Sequence, residues 1–372
     1  MIGSKMEKSR FIYIGAFRLP DRNAAAHRVL NIGKAIRELG GEVSYIHEGR
    51  LVKIADVERV ENSEPEAKSS FQKASILFRD FICGLKHVLH RNCTHIIVYN
   101  LPVVFYVPIF LVAKFSRVKV IADCTEWYDS LGDSVVKKLM KQIDVSCRMR
   151  VLNKFAYRVI SISSLLNKYY QRNSILIPPL IDIQDSKWLL AMESSPPNGV
   201  AKKKINLFYG GDMGEGKDSL FDILYFLANE PSSIKSSVNI IIAGDITPKV
   251  KSEIQQYAYS LSIVFVGRIQ HTAVLEYLSH CDYLVFFRKS TRANNAGFPT
   301  KFTEAFTMGV NIITNSTSDI GNFAGFENVT LVDKPSQMSN LDLSIKDKKN
   351  RISELNDYFD YRNYLAEIER LI

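Results

Sequence analysis

Two stretches of the chain combine glycine, lysine and carboxylate at spacings that suit an anion. The first is YGGDMGEGKDSL, residues 209–220. Gly210 and Gly211 follow an apolar run and leave room for backbone to approach a ligand. Gly214 and Gly216 keep the loop tight, and Lys217 opens a helical pattern. Free N–H groups and the helix dipole at such a point favour an anion, and Lys217 adds a full charge. The spacing is neither a Walker A loop nor G-x-G-x-x-G, and a Gly-rich turn beside a solvated lysine has the same composition.

The second stretch is NAGFPTKFTEAFTMGVNIITN, residues 295–315. Gly297 permits close backbone approach, Phe298 follows it, Pro299 suits the first helical position, and Thr300 and Lys301 open the first turn. Lys301 and Glu304 are three apart and share a helix face. A phosphate at the helix start would meet Lys301, and Glu304, one turn deeper, would accept from two adjacent hydroxyls such as those of a ribose. An acid near a helix N-terminus is also stabilising by roughly 0.3–1 kcal/mol with no ligand present. The occurrence of two such loops at strand ends in one half of the chain favours a ligand.

Around these loops, β-branched runs alternate with amphipathic segments over most of the 372 residues. Unalternating apolar strands separated by helices predict parallel sheets covered on both faces. The polar, Pro-containing MESSPPNGVAKKK interrupts the rhythm, so the expected architecture is α/β: two Rossmann-like, doubly wound parallel-sheet domains facing each other across a cleft. The boundaries read as 1–182, a linker at 183–203, a second domain at 204–350, and a helical tail at 351–372 that crosses back to the first. Strands ending in NLFYGGD, IIIAGD and IVFVG place candidate ligand positions at carboxyl ends in the second domain.

Charge is uneven. Residues 1–182 hold 28 Lys and Arg against 17 Asp and Glu, whereas the remainder holds 20 against 22. The densest basic run, Lys137 to Arg158, has seven basic residues and one acid, Asp144, with Leu139, Ile143, Val151 and Phe155 at helical spacing. It reads either as a solvated face over a core or as a surface for anionic lipid; no nucleic-acid motif accompanies it. IIVYNLPVVFYVPIFLVA, residues 96–113, approaches spanning length but is broken by Asn100, Pro102 and Pro108. It is expected to form a strand, a turn and an apolar helix that does not cross. Five cysteines with no C-x-x-C pair suit a reducing cytoplasm and argue against a zinc site, and no signal peptide is read at the N-terminus. In the first half, FRLPDRNAAAHR brings Arg18, Arg22, His27 and Arg28 to a strand-to-helix junction, where they suit the pyrophosphate of a lipid-linked acceptor.

The segment AGFPTKFTEAFTMGVNIITN resembles the donor-binding signature of glycosyltransferase family 4, of the GT-B fold, in its Phe-Pro-Thr-Lys-Phe-x-Glu form. YGGDMGEGKDSL, VNIIIAGD, IVFVGRIQHTAVLEYLSHCDYLVFF, VISISSLLNKYY and ILIPPLID support it in the same order. The resemblance spans most of the chain and is strongest over residues 205–320. It implies transfer of a sugar from a nucleotide sugar, UDP-linked more than GDP-linked, with retention and without a metal or other cofactor. It implies that Lys217 neutralises the diphosphate, Lys301 lies near it, Glu304 holds the ribose, and the loop with Gly267, Arg268 and Ile269 faces the base. The acceptor, a glycan or lipid-linked sugar, would dock on the first domain.

Three positions depart from that pattern. The first acid of the usual Glu-x7-Glu pair is Ala296, the phosphate-loop arginine is Asp212, and the first-domain histidine falls at Thr125. Backbone at Gly297 and Phe298, or the side chains of Asn294 and Asn295, are substitutes on the sugar side, and Glu126 or Asp123 on the acceptor side. In a front-face retaining reaction the departing phosphate oxygen takes the acceptor's proton, so no protein nucleophile is required. Lysines and helix N-termini stabilise the leaving group. The expected protein is a cytoplasmic enzyme of polysaccharide or glycolipid assembly, peripheral on the inner membrane face. The alternatives are a nucleotide-sugar epimerase of the same fold and a degenerate nucleotide- or glycan-binding protein. Glu304→Ala and Lys217→Ala are each expected to weaken nucleotide-sugar binding or turnover while the melting curve stays cooperative; wild-type binding in both variants removes these assignments.

Overall fold

The computed structural model describes residues 9–20, 22–60, 70–127, 135–211, 218, 220–245, 247–345 and 355–372. The chain forms two compact units, Met1–Ile181 with Asp360–Ile372, and Asp182–Phe359.

The first unit is built on β1 (Arg10–Gly15), β2 (Glu42–His47), β3 (Arg50–Lys53), β4 (His95–Tyr99), β5 (Lys119–Cys124), β6 (Arg158–Ser161) and β7 (Ser174–Leu176). Their order is β3-β2-β1-β4-β5-β6-β7. All neighbours are parallel except β3, which pairs antiparallel with β2. That edge strand departs from the purely parallel expectation. Glu48 and Gly49 both take left-handed φ values, 54° and 79°, the backbone that a two-residue hairpin between twisted strands requires. The helices α1 (Ala24–Glu38), α2 (Ser70–Leu89), α3 (Val103–Ser116) and α4 (Val135–Cys147) cover the sheet and its margins. The apolar run at residues 96–113 divides as read, into β4, a turn at Asn100 with φ 47°, and α3. Among the described residues no helix is long and apolar enough to cross a membrane.

One core cluster of this unit contains β1 and α1 residues such as Tyr13, Val29 and Ile32, joined by Tyr361, Ile368 and Leu371 from the chain's end. The returning segment pairs Asp360 with Ile181, and the Tyr361 N–H donates to the Ile181 carbonyl at 3.0 Å. Instead of one long helix, its described part consists of two 3-10 turns, Asp357–Phe359 and Tyr361–Tyr364, and a short helix, Leu365–Glu369.

A buried ion pair lies at the centre of the unit. Arg28 donates from Nε to Asp123 Oδ1 at 2.9 Å and from Nη1 to the carbonyls of Ile177 and Pro178 at 3.0 and 3.2 Å. The Tyr13 hydroxyl donates to Asp123 Oδ2 at 3.2 Å. Arg28 is 3% exposed and Asp123 2%. Burial drives the Asp123 carboxyl above the usual carboxylate range against the pull of Arg28 and Tyr13. The pair ties α1 to the exits of β5 and β7.

The second unit contains β8 (Ile205–Gly210), β9 (Val238–Ala243), β10 (Ser262–Gly267), β11 (Tyr283–Val285), β12 (Asn311–Thr314) and β13 (Val329–Leu331). All are parallel, in the order β10-β9-β8-β11-β12-β13. The chain starts at the middle strand, winds outward to β10, then restarts on the other side at β11. The carboxyl ends of β8 and β11 therefore flank the point where ligands gather in doubly wound sheets. Residues 183–203, read as a linker, carry a helix, Lys187–Glu193, with Trp188 and Ala191 buried. Ser279 donates to the Ala191 carbonyl at 2.8 Å and Tyr277 to that of Asn198 at 2.9 Å, so this stretch packs with the second unit.

Asp123→Ala leaves Arg28 buried with no counter-charge and is expected to cost about 3–5 kcal/mol, read as a lowered urea midpoint of the first unit. A loss below about 1 kcal/mol contradicts the structural role of the pair.

Candidate active site

At the switch point of the second unit, the carboxylate of Asp218 is shared by two cations. Arg288 Nε donates to Oδ1 at 3.0 Å, and Lys301 Nζ donates to Oδ2. Each partner enters from a different segment. Asp218 comes after β8 in the chain, Arg288 follows β11, and Lys301 lies in the first turn of the helix Thr300–Thr307. Asp218 and Arg288 also form an antiparallel backbone bridge. Asn315, just past β12, clamps the Arg288 backbone: its side chain accepts from the Arg288 N–H at 2.9 Å and donates to the carbonyl at 2.8 Å.

The Lys301 ammonium stands 4.8 Å from the ring centroid of Tyr209 and 5.3 Å from that of Phe286, the residues at the ends of β8 and β11. Cation–π attraction and the Asp218 pair together fix its position. Gly211 has φ 139°, and a Cβ there would lie 2.8 Å from Lys301 Nζ. The backbone therefore favours glycine, and a side chain there would displace the lysine's ammonium. One carboxylate between two cations leaves a net positive charge, which suits an anion with several oxygens. Burial alone would raise the Asp218 carboxyl, but the charges of Lys301 and Arg288 more than offset it and hold the group below the usual carboxylate range.

The helix that carries Lys301 and Glu304 is held from behind. Phe302 and Phe306 are buried and pack against Phe298, Phe323 and Phe359 with ring centroids 4.9–6.5 Å apart. The Asn356 N–H donates to the Thr307 carbonyl at 2.9 Å, capping the helix. With that face fixed, Glu304 meets His271: His271 Nε2 lies 3.1 Å from Glu304 Oε1. His271 opens the helix His271–His280, which follows β10.

Lys217, like Asp212, Gly214 and Gly216, lies outside the described residues. Lys301 belongs to the Asp218 cluster with Gly211 beside it, whereas Glu304, on the same helix, meets His271. Pro299 is the N-cap residue rather than the first helical one, and Thr300 starts the helix. Gly297 has φ −90° and ψ 174°, a conformation open to any residue. Phe298 belongs to the aromatic cluster behind the helix. Arg268 pairs with Asp245 at 3.2 Å on the exposed exits of β10 and β9, a contact worth little by itself, and Ile269 beside it is half-buried. Ala296 is buried. The two asparagines weighed as its substitutes hold backbone: Asn294 Nδ2 donates to the Lys289 carbonyl at 2.9 Å and Asn295 Oδ1 accepts from the Ser318 N–H at 3.0 Å.

In the first unit, Arg28 and Asp123 are consumed by the buried pair, whereas Arg22 and His27 are half-buried around the start of α1. Asn23 caps that helix, accepting from Ala26 N–H at 2.9 Å. Glu126 is half-buried, and Thr125 is buried with its hydroxyl accepting from Asn100 Nδ2 at 2.8 Å. Sequence reasoning missed Asp218, Arg288 and His271. Arg288 carried one usable signal, a cation immediately after the apolar run YLVFF.

Asp218 binds its proton less readily folded than unfolded. Its contribution is therefore complete above the unfolded value of about 3.9 and is lost as pH falls through the lower folded value. Asp218→Asn is expected to cost roughly 3 kcal/mol near about pH 6, a gap that narrows toward about pH 3. A gap that widens on acidification, measured by urea unfolding across that range, contradicts the assigned direction.

Residues 202–347 match the family model described as Glycosyl transferases group 1. No curated protein matches the chain. Solved structures share its fold along nearly the whole length. Anabaena HepE in complex with UDP-glucose superposes with TM-score 0.62 at 13% identity, covering 97% of this chain and 98% of that one. Sucrose-phosphate synthase from Thermosynechococcus elongatus gives 0.62 at 12%, covering 98% of each. UDP-GlcNAc 2-epimerase from Neisseria meningitidis bound to UDP-GlcNAc gives 0.57 at 10%, again covering 98% of each. The fold is thus that of two-sheet glycosyltransferases and their structural neighbours, and the second unit is similar in sequence to the group 1 glycosyl transferases.

Proposed function

We propose that the chain is a retaining, metal-independent glycosyltransferase of the family 4 type. It moves a sugar from a nucleoside diphosphate sugar, UDP preferred, to a glycan or lipid-linked acceptor in polysaccharide or glycolipid assembly. The observation that carries this reading is the gathering of Lys301 and Arg288 on Asp218 at the β8–β11 switch point, inside the segment that matches the glycosyl transferase model. HepE, whose fold is similar, is known in complex with UDP-glucose, which supports the same donor class here.

Departure of the sugar leaves negative charge on the diphosphate. Lys301, Arg288 and Lys217 are the groups to meet it, and Asp218 fixes the first two in advance, so the stabilisation needs little reorganisation. Arg288 takes the part that a phosphate-loop arginine would play where this chain has Asp212. Glu304, oriented by His271, receives the ribose hydroxyls, and the Arg268–Ile269 loop lies beside the base. The leaving phosphate oxygen accepts the acceptor's proton. Arg22, His27 and Glu126 serve the acceptor, with Arg28 and Asp123 as the positioning pair beneath them. The five cysteines form no disulfide, which suits work in a reducing cytoplasm.

The epimerase reading is favoured by the fold shared with the Neisseria enzyme. Incubation with a panel of nucleotide sugars separates the two, since transfer or slow hydrolysis supports the transferase and interconversion the epimerase. Calorimetry should show UDP binding far more tightly than uridine, with Arg288→Ala and Lys301→Ala each losing roughly 10- to 100-fold for UDP and little for uridine. Failure of every nucleoside diphosphate to bind or raise the melting temperature would sink the donor site.

A further inference from the structure

The basic amphipathic segment of the first unit turns its apolar side to solvent. α4 runs through a π-helical turn, Arg148–Leu152, into Asn153–Phe155. Val135, Val136, Leu139, Met140, Ile143, Val151 and Phe155 are all exposed, from 47% at Val151 to 84% at Val135. At about 100° per residue, the five from α4 occupy one arc of about 140°. The core side of the same segment is supplied by other residues, Val145, Met149 and Leu152, which are buried. The apolar spacing at Leu139, Ile143, Val151 and Phe155 is therefore not a core stripe.

Among the described residues of this segment, the exposed charged groups carry one sign. Lys138, Arg150 and Lys154 are exposed, the last with its ammonium 4.7 Å over the Tyr169 ring. Asp144, the acid of the run, turns toward α3, where its Oδ1 accepts the Val103 N–H at 2.7 Å. α3 carries its own exposed row, Val104, Leu111 and Phe115. Large exposed apolar surface on a folded unit marks a binding face, and among the described residues of this segment it is mixed with outward positive charge. Two copies of this face would oppose like charges.

We propose that α4 and the turn after it seat this unit on the surface of an anionic lipid bilayer. The aliphatic and phenyl side chains enter the boundary between headgroups and acyl chains, and Lys138, Arg150 and Lys154 meet headgroup phosphates. The segment lies along the interface and does not cross it.

Co-sedimentation with vesicles of phosphatidylcholine alone, and of equal parts phosphatidylcholine and phosphatidylglycerol, tests this. Wild-type protein is expected to pellet with the anionic vesicles and to be weakened by added salt. Leu139→Ser with Ile143→Ser should lower the apparent affinity roughly tenfold or more. Because both side chains are exposed, its melting temperature should stay within about a few degrees of wild type. Arg150→Glu with Lys154→Glu should abolish the preference for anionic lipid. Absence of wild-type binding to either vesicle, or undiminished binding by the serine variant, overturns the proposal. So does a wild-type dimer in sedimentation velocity that the serine variant dissolves, which assigns the face to a second copy. Vesicle binding is read with no nucleotide sugar present, so its failure and the failure of the donor site are separate results.

Discussion

Asp218 is the electrostatic tie on which the second unit's site depends. Its two oxygens hold the segments after β8 and β11 and the helix Thr300–Thr307 to one point. Opposite charges about 4 Å apart attract by roughly 4 kcal/mol at an effective dielectric of about 20. That attraction is enough to overcome the burial of the carboxylate, which is why the group stays ionised below its usual range. The aromatic cluster of Phe298, Phe302, Phe306, Phe323 and Phe359 presses on the helix from the other side. A helix pinned on both faces presents Lys301 and Glu304 with little freedom to adjust, and preorganised charge of this kind is what an anionic leaving group needs.

The first unit uses the same chemistry to a different end. Arg28 and Asp123 also pair a cation with a carboxylate, but one-to-one, wholly buried and completed by Tyr13 and two backbone carbonyls. Such a pair has no charge left over and no exposed edge, so it specifies how α1 meets the sheet. Asp218, set between two cations, leaves one positive charge uncompensated. Stoichiometry and the partial exposure of the cations, not residue type, separate this cluster from a closed structural pair.

Much of the fold was legible because it is written in local patterns. Unalternating β-branched runs mark strands buried on both faces, and Gly-ended strands mark carboxyl ends near a ligand. The short edge strand β3 was missed because four residues after a Glu-Gly turn carry little periodicity. Residues 183–203 read as a linker on their prolines, yet Trp188 and Ala191 are buried. Lys301 and Glu304 were readable as a pair because helix geometry relates positions three apart.

By itself, the sequence determined the two doubly wound sheets, the exit at Gly211, the Lys301–Glu304 spacing and the apolar period of the segment 135–155. Only the tertiary structure decided which charges meet. Asp218 and Arg288 are 70 residues apart, Asp218 and Lys301 83, and Arg28 and Asp123 95. It also decided that the apolar arc of α4 faces outward, because a period shows that one side of a helix is apolar but not where that side points. Propensity and periodicity act over a few residues, whereas pairing and burial depend on what distant segments bring alongside.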